Sequence, residues 1–305
     1  MQSLLSDNAL RASSAILAGK KQFICNLFCL SWIMAEYEPD ISEYSSNLLD
    51  DSRVEDHLAS LRYAGMIQHA LMPDPFFPRN VLSDFFILFL PKDIVSGDFY
   101  YTFSGNQFTC IAAGDCTGHG VPGALMSFLG ISFLNEILQS KANTRANRIL
   151  NCMREKVMKA LNQTGDNAEA KDSIDIGLCI IEPGSETLQF AGANRPLIRI
   201  RNGQLDEFKP DKMTIGIAPQ TEKPFTNKLI DTQRGDTFYL FSDGYADQFG
   251  EITDKKFKYS RFKQALLAVS SLSMASQKEY LEHLFNDWKG NAQQNDDVLI
   301  FGFRL

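Results

Sequence analysis

The sequence predicts an α+β fold, a layered sandwich in which an antiparallel, β-rich core carries inserted pairs of helices. From Phe85 onward, short runs rich in aromatic and β-branched residues alternate with turn residues, which is typical of antiparallel strands. Two long helical patterns interrupt these runs between residues 121 and 161. Asn202-Gly203 lies between two apolar runs, as in a two-residue hairpin turn.

The first part of the chain is different in character. Residues 1–60 lack strand alternation, have helical spacing and include an acidic, Ser-rich stretch at 36–51 that is typical of a linker. A helix is predicted around Val54, Leu58 and Leu71, ending before Pro73. The predicted organisation is therefore a helical N-terminal or linker segment, 1–60, followed by a domain at 61–305.

The predicted elements of the domain follow in chain order. A helix at 121–141 has Pro122 in its first turn, where the missing N–H costs nothing. A second helix covers 145–161, and a third has a capping box of Ser276 and Glu279 and ends at Gly290. The predicted strands are 85–90, 99–103, 107–113, Ile174–Ile181, 187–190, Leu197–Arg201, Gln204–Phe208, 225–230, Thr237–Phe241 and 298–303.

Composition excludes several classes of protein. The 305 residues carry a net charge of −7, which argues against nucleic acid or an anionic membrane as the main partner. The six cysteines include no CxxC pair and are typical of buried residues in a reducing cytosol, so a cytoplasmic location is expected. The apolar run at 23–35 is shorter than the roughly 20 residues of a membrane span, and its flanks do not suit a signal peptide.

Carboxylates recur at the ends of predicted strands. Asp98 starts the first strand of a hairpin and Asp115 ends the second, so the two should lie together at one end of a sheet. Asp243 follows another strand, and Asp296-Asp297 precede the last one. A single carboxylate at a strand end is usually a turn former. Carboxylates at four strand ends instead favour a site for hard cations such as Mg²⁺ or Mn²⁺. Two such ions could activate a water and clamp a phosphate.

Five ordered motifs carry a family resemblance: PKDIVSGDFY, AAGDCTGHGVPGALMS, AGANRPL, FSDGYADQFG and NDDVLIFGF. From about Ile67 to the C-terminus the chain resembles the SpoIIE/RsbU branch of metal-dependent (PPM, type 2C-like) protein phosphatases. The resemblance implies two packed antiparallel sheets flanked by helices, with a dinuclear Mn²⁺ or Mg²⁺ site at one edge. It also implies hydrolysis of phosphoserine or phosphothreonine in bacterial signal transduction, commonly on an anti-sigma-factor antagonist of the STAS type.

The resemblance also implies roles for individual residues. Asp115 corresponds to the aspartate that bridges both metals, with the carbonyl of Cys116 as a neighbouring ligand. Asp98 corresponds to the carboxylate that completes the shell of one metal. Asp243 and Asp296 correspond to the pair that holds the other metal, and Asp297 is an alternative to Asp296. These four aspartates, Asp98, Asp115, Asp243 and Asp296, are the predicted catalytic residues.

The roles of several other residues in these motifs are less specific, and some of them have two interpretations. Lys92, where relatives often have arginine, either attracts phosphate or is a solvated lysine. His119 is a general acid or a structural residue, since relatives tolerate lysine there. Gly118 and Gly120 are expected to free backbone N–H groups beside a helix N-terminus. Asn194 is expected to form a turn, and Asp172 and Asp175 are surface residues or ligands of a third metal.

Two other functions fit parts of the sequence. A non-catalytic module of the same fold could sequester a phosphoprotein, although all the expected carboxylates are present. A nucleotidyl cyclase also uses two aspartates around a hairpin, but does not need the late SDG and NDD motifs. Relatives often join a sensor module to the phosphatase through a dimerising helix, so an upstream sensor and a homodimer through the N-terminal helices are further expectations. The same segment is equally consistent with a helical cap packed on its own domain.

Overall fold

The computed structural model describes residues 51–73, 82, 84–140, 145–163, 171–218 and 223–305. The chain divides into two compact units, residues 1–57 and 58–305. The predicted linker at 36–51 and the helical pattern before it lie almost entirely outside the described residues. The division of function between 1–60 and 61–305 therefore stays a prediction.

In the part of the chain that the structure describes, ten strands form two antiparallel sheets of five strands each, which confirms the predicted fold class. Sheet A has the order β1-β10-β9-β6-β7 and sheet B the order β2-β3-β4-β5-β8. The strands of sheet A are β1 (Asp84–Leu90), β10 (Val298–Arg304), β9 (Thr237–Phe241), β6 (Leu197–Arg201) and β7 (Gln204–Phe208). Those of sheet B are β2 (Phe99–Ser104), β3 (Thr109–Cys116), β4 (Ile174–Ile181), β5 (Thr187–Ala193) and β8 (Lys228–Asp231).

Helices cover the outer face of each sheet. The long helices α2 (Gly120–Gln139) and α3 (Ala146–Ala160) lie on sheet B, and α5 (Tyr259–Val269) and α6 (Met274–Lys289) lie on sheet A. A short helix, α4 (Gly244–Asp247), follows β9. Alternate residues of β10 serve two cores: Phe301 and Phe303 join the cluster shared with sheet B, whereas Ile300 packs with the side chains of α5 and α6.

The apolar composition of α2 has a structural cause. Among the described residues it is the one helix long and apolar enough to cross a membrane, but half of that apolar window is buried inside the domain. Gly130 lets the helix approach β2, since an added Cβ would lie 3.0 Å from the ring of Phe99. The helix is therefore accounted for by its packing on sheet B.

Several predicted boundaries differ from the structure, and two of them have a clear physical reason. The strand predicted at 225–230 begins only at Lys228, because the backbone of Phe225 bonds to the side chains of Asn147 and Asn151 on α3 instead of to a strand. The capping box predicted at Ser276 is also misplaced. Helix α6 begins three residues earlier, and Ser273 caps it by accepting a hydrogen bond from the Ser276 N–H.

Helix α1 (Asp51–Leu71) ends before Pro73, as predicted, and is joined to the domain by a buried glutamine. Gln68 is 3% exposed; its Nε2 donates to the Ser96 carbonyl at 2.6 Å and to Ser127 Oγ at 2.8 Å. Its Oε1 accepts from the Ser96 N–H at 2.9 Å. Gly65 permits this contact, because an added Cβ would lie 2.9 Å from the Ile94 carbonyl oxygen. Gln68 thus anchors the loop that precedes Asp98.

We expect Gln68→Leu to lower the free energy of unfolding by roughly 2–4 kcal/mol, because it leaves buried backbone groups of Ser96 without their side-chain partner. Denaturant unfolding measures this loss. The matched control is Gln139→Leu, at an exposed position in the last turn of α2, which should change stability by less than about 0.5 kcal/mol. Equal effects of the two substitutions would show that the Gln68 hydrogen bonds do not matter.

Candidate metal centre

The register of the first hairpin brings Asp98 and Asp115 together. Phe99 of β2 pairs with Gly114 of β3. Asp98, which precedes Phe99, and Asp115, which follows Gly114, therefore lie side by side. Asp98 is 2% exposed, and its Oδ2 has no hydrogen-bond partner among the described residues. Burial, with the neighbouring charge of Asp115 as a second cause, raises the pKa of Asp98 well above its usual range.

Asp115 lies at the centre of the acidic group. Strand β3 runs three residues past its predicted end at 113, and there Asp115 pairs directly with Asp175 on β4. Burial raises the pKa of Asp115 to about 7, although the nearby guanidinium of Arg195 lowers it; Asp243 and Asp296 raise it further. The positive charge of Arg195 therefore compensates only part of the cost of ionising Asp115 in this position.

Sheet A contributes Asp243 and Asp296 from neighbouring strands. Asp243 follows β9 and Asp296 precedes β10, and these two strands pair in the sheet. Gly244 allows the two loops to meet, because an added Cβ would collide with the Asp297 carbonyl. Burial is the main cause that raises the pKa of Asp296, and the charges of Asp243 and Asp297 raise it further. A hydrogen bond from the Asp297 N–H lowers this pKa but does not cancel the rise.

Asp297 has a different role from its neighbour. Its Oδ1 accepts a hydrogen bond from the Lys92 N–H and its Oδ2 one from the Gly97 N–H, both at 2.7 Å. The carboxylate is buried and fixes the loop ahead of Asp98. We therefore favour Asp296 over Asp297 as the ligand from this pair.

A polar cleft of about 240 Å³ opens where the two sheets end. Asp98 is buried, and neither it nor Lys92 or Asp297 lines the wall of the cleft. In the described parts of the chain, no group of three or more His, Cys, Asp or Glu side chains is already arranged around a metal position. The residues that line the cleft are Asp115, Cys116, Thr117, Gly118, Ser173, Asp175, Arg195, Asp243 and Asp296.

Arg195 is the charged residue of this cleft that the sequence did not point out. Its Nη2 donates to Asp115 Oδ2 at 2.7 Å and to Asp243 Oδ2 at 2.8 Å, and lies 3.7 Å from Asp175 Oδ2. The motif AGANRPL contained it, but an arginine in a turn after a strand carries no specific signal. Its proximity to three aspartates arises only when β3, β4 and β9 come together.

The neighbouring Asn194 forms a turn, as expected, with a left-handed φ of 55°. Its side-chain amide also donates to Asp175 Oδ1 at 2.9 Å and so orients that carboxylate. Asp175 lines the cleft, whereas Asp172 does not. We therefore keep the interpretation as a surface residue for Asp172, and the interpretation as a ligand of a third metal for Asp175.

His119 lies beside the cleft and not in its wall. Its side chain is 51% exposed, and its Nδ1 lies 2.9 Å from Asp93 Oδ2. Gly118 and Gly120 on either side have φ values of 82° and 64°, which side chains rarely adopt. The resulting turn leads into α2, whose first N–H groups lack intrahelical partners and favour an anion nearby.

The residues of the cleft fit divalent metal ions. A buried carboxylate oxygen of Asp98 has no donor, and one arginine faces Asp115, Asp175, Asp243 and Asp296. Oxygen-only donors with excess negative charge suit Mg²⁺ or Mn²⁺. Asp98, Asp115, Asp243 and Asp296, with the Cys116 carbonyl, are the groups that would hold them.

Comparison with known proteins agrees with this fold. The SpoIIE family model (stage II sporulation protein E) matches residues 106–305. The SiaA-PP2C domain of Pseudomonas aeruginosa is 29% identical, with a TM-score of 0.75 over 84% of this chain and 100% of that chain. No match among curated protein sequences reaches significance.

Two less similar structures share the fold. One is the PP2C phosphatase domain with a regulatory fragment of SpoIIE from Bacillus subtilis, at 17% identity and TM-score 0.57 over 73% of this chain and 63% of that one. The other contains the RsbU and RsbW domains of Rv1364c from Mycobacterium tuberculosis, at 18% identity and TM-score 0.56 over 73% and 60%. The family match and the similarity to the SiaA-PP2C domain place this chain in the class of PP2C-type protein serine/threonine phosphatases. The chain belongs to the SpoIIE family.

We expect His119→Lys to keep a substantial part of the hydrolytic rate, because the side chain contacts Asp93 outside the cleft. A general acid would instead lose roughly 10²–10⁴-fold. Steady-state hydrolysis of an aryl phosphate measures the rate, and Mn²⁺ binding measured in parallel shows whether the site is intact. A loss in that range with Mn²⁺ binding unchanged would make His119 catalytic.

Proposed function

We propose that this phosphatase hydrolyses phosphoserine or phosphothreonine on a protein partner with two bound Mn²⁺ or Mg²⁺ ions. The observation that carries the proposal is the convergence of Asp115 from sheet B with Asp243 and Asp296 from sheet A at one cleft, with the buried Asp98 next to Asp115 in the hairpin register. Bringing four carboxylates together is costly unless cations join them.

Each carboxylate has a task that follows from its position. Asp115 lies between the other carboxylates and is the one suited to contact both ions. Asp98 is held from behind by the loop that Gln68 and Asp297 anchor, so its free oxygen has a fixed place. When bound, two such ions supply an activated water and neutralise the charge of the phosphate.

The chain's own groups prepare the cleft for a phosphate. The N-terminus of α2, beside Gly118 and Gly120, offers backbone N–H groups that favour an anion. Thr117 donates its hydroxyl to the Ser173 carbonyl and ties the β3 end to the start of β4, which keeps this wall in place. Without cations, the carboxylates would repel a phosphate. Phosphate binding therefore depends on both the backbone N–H groups and the bound cations.

The substrate class follows from the exposure of the cleft. The side chain of Asp243 is nearly half exposed, so a phosphorylated side chain on the surface of another protein can reach it. The family resemblance favours an anti-sigma-factor antagonist of the STAS type as that protein. We place the reaction in bacterial signal transduction in the cytoplasm on the same ground.

The N-terminal helix supports a further part of the proposal. Helix α1 exposes large apolar side chains at Leu58, Tyr63, Met66, Ile67 and Leu71. Such a concentration on one helix is typical of a surface that contacts another protein. We propose that it serves a homodimer or an upstream sensor module, as in relatives that join a sensor through a dimerising helix.

Chelation and one substitution test the proposed function. EDTA should abolish hydrolysis of a phosphoserine peptide and Mn²⁺ should restore it, because oxygen ligands bind these ions exchangeably. Asp115→Asn should lose nearly all activity. In EDTA the variant should melt no lower than the wild type, because a neutral side chain avoids the cost of ionising the buried Asp115 while Arg195 keeps its contact with Asp243.

The matched control is Asp206→Asn, which removes an aspartate paired with Arg199 on the far side of sheet A and should leave hydrolysis unchanged. Mn²⁺ should raise the melting temperature of the wild type but barely that of Asp115→Asn, since ligand binding stabilises the native state. Full activity after chelation would contradict the two-metal proposal. Turnover of a nucleoside triphosphate without phosphopeptide hydrolysis would favour a cyclase, and Mn²⁺ or phosphopeptide binding without turnover a binding module.

A further inference from the structure

The backbone around Arg195 is fixed. The residue follows Asn194, which is left-handed, and its N–H donates to the Ala193 carbonyl at 2.7 Å in a tight turn. Gly192 leaves room for this turn, because an added Cβ would lie 2.4 Å from the Arg195 carbonyl oxygen. Any movement of Arg195 is therefore a movement of its side chain.

The guanidinium is held mainly by charge. Its side chain is 14% exposed, and one nitrogen, Nη2, makes both short contacts, to Asp115 and to Asp243. The Nε group is buried and has no hydrogen-bond partner among the described residues. Since an unpaired buried N–H costs free energy, the attraction to the carboxylates must outweigh that cost. The position should be lost when those carboxylates are neutralised by another cation.

The two oxygens that Arg195 contacts belong to two aspartates that the proposed function assigns to metal ions, Asp115 to both ions and Asp243 to one of them. Asp115 comes from sheet B and Asp243 from sheet A, so the guanidinium joins the same two sheets that the ions would join. Both interactions are electrostatic and compete for the same side chains. The described residues that line the cleft include no second arginine or lysine.

We propose that Arg195 is a tethered counter-cation, which joins Asp115 and Asp243 in the metal-free protein and must withdraw from them when the ions bind. The inference rests on the proposed function and adds a residue that sets metal affinity. The contacts of Arg195 then stabilise the metal-free fold, and they weaken metal binding by the same free energy. A residue that merely orients the ligands would do the opposite, and its removal would weaken metal binding.

The test compares Arg195→Ala, Arg195→Lys and the wild type in full-length protein. Free Mn²⁺, followed by electron paramagnetic resonance during titration, reports affinity without any activity measurement. Arg195→Ala should bind Mn²⁺ about tenfold or more tightly, the equivalent of one charge-assisted hydrogen bond. In EDTA it should melt below the wild type. Arg195→Lys, which keeps the charge but not the planar geometry, should lie between the two.

Arg199→Ala is the matched control, because Arg199 pairs with Asp206 away from the cleft. It should leave Mn²⁺ affinity unchanged. Equal or weaker Mn²⁺ binding by Arg195→Ala would overturn the inference while leaving the metal site in place. If Arg195→Ala does not fold, Arg195→Lys decides in the same way. Absence of Mn²⁺ binding by the wild type would overturn the proposed function and this inference together.

Discussion

The repulsion among aspartates at the ends of the two sheets is the constraint on which the rest of this structure depends. Asp98, Asp115 and Asp296 all have raised pKa values, chiefly because burial disfavours their charge. A fold that only needed stability would place other residues there. The carboxylates remain together because the surrounding structure holds them, which is typical of a site that gives up stability for function.

Close backbone contacts provide that support. Gly97, Gly118 and Gly123 pack against one another, and a Cβ at Gly123 would lie 2.4 Å from the Gly118 carbonyl oxygen. These contacts press the loop before Asp98 against the start of α2. Asp297 holds the same loop from sheet A and Gln68 holds it from α1. The loop before Asp98 is therefore held in place from both α1 and sheet A.

The sequence predicted the sheets and the acidic cluster because both have local signals. Alternating apolar runs marked the strands, and the hairpin around Ser104–Asn106 implied that Asp98 and Asp115 are neighbours. Arg195 had no such signal, since its role depends on the pairing of β4 with β3 and of β9 with β10. Tertiary contacts also moved the start of β8, where Phe225 bonds to α3 instead of to the sheet. The roles of the individual ligands stay predictions.

The most direct test of the central claim is a crystal structure of the wild-type protein grown with Mn²⁺, with anomalous scattering recorded at the manganese edge. We predict two anomalous peaks in the cleft, both near Asp115, one also near Asp98 and the other near Asp243 and Asp296. The Arg195 side chain should have turned away from Asp115 and Asp243. An empty cleft in such crystals, with the Arg195 contacts to both aspartates unchanged, would contradict the claim that these carboxylates are gathered for metal ions.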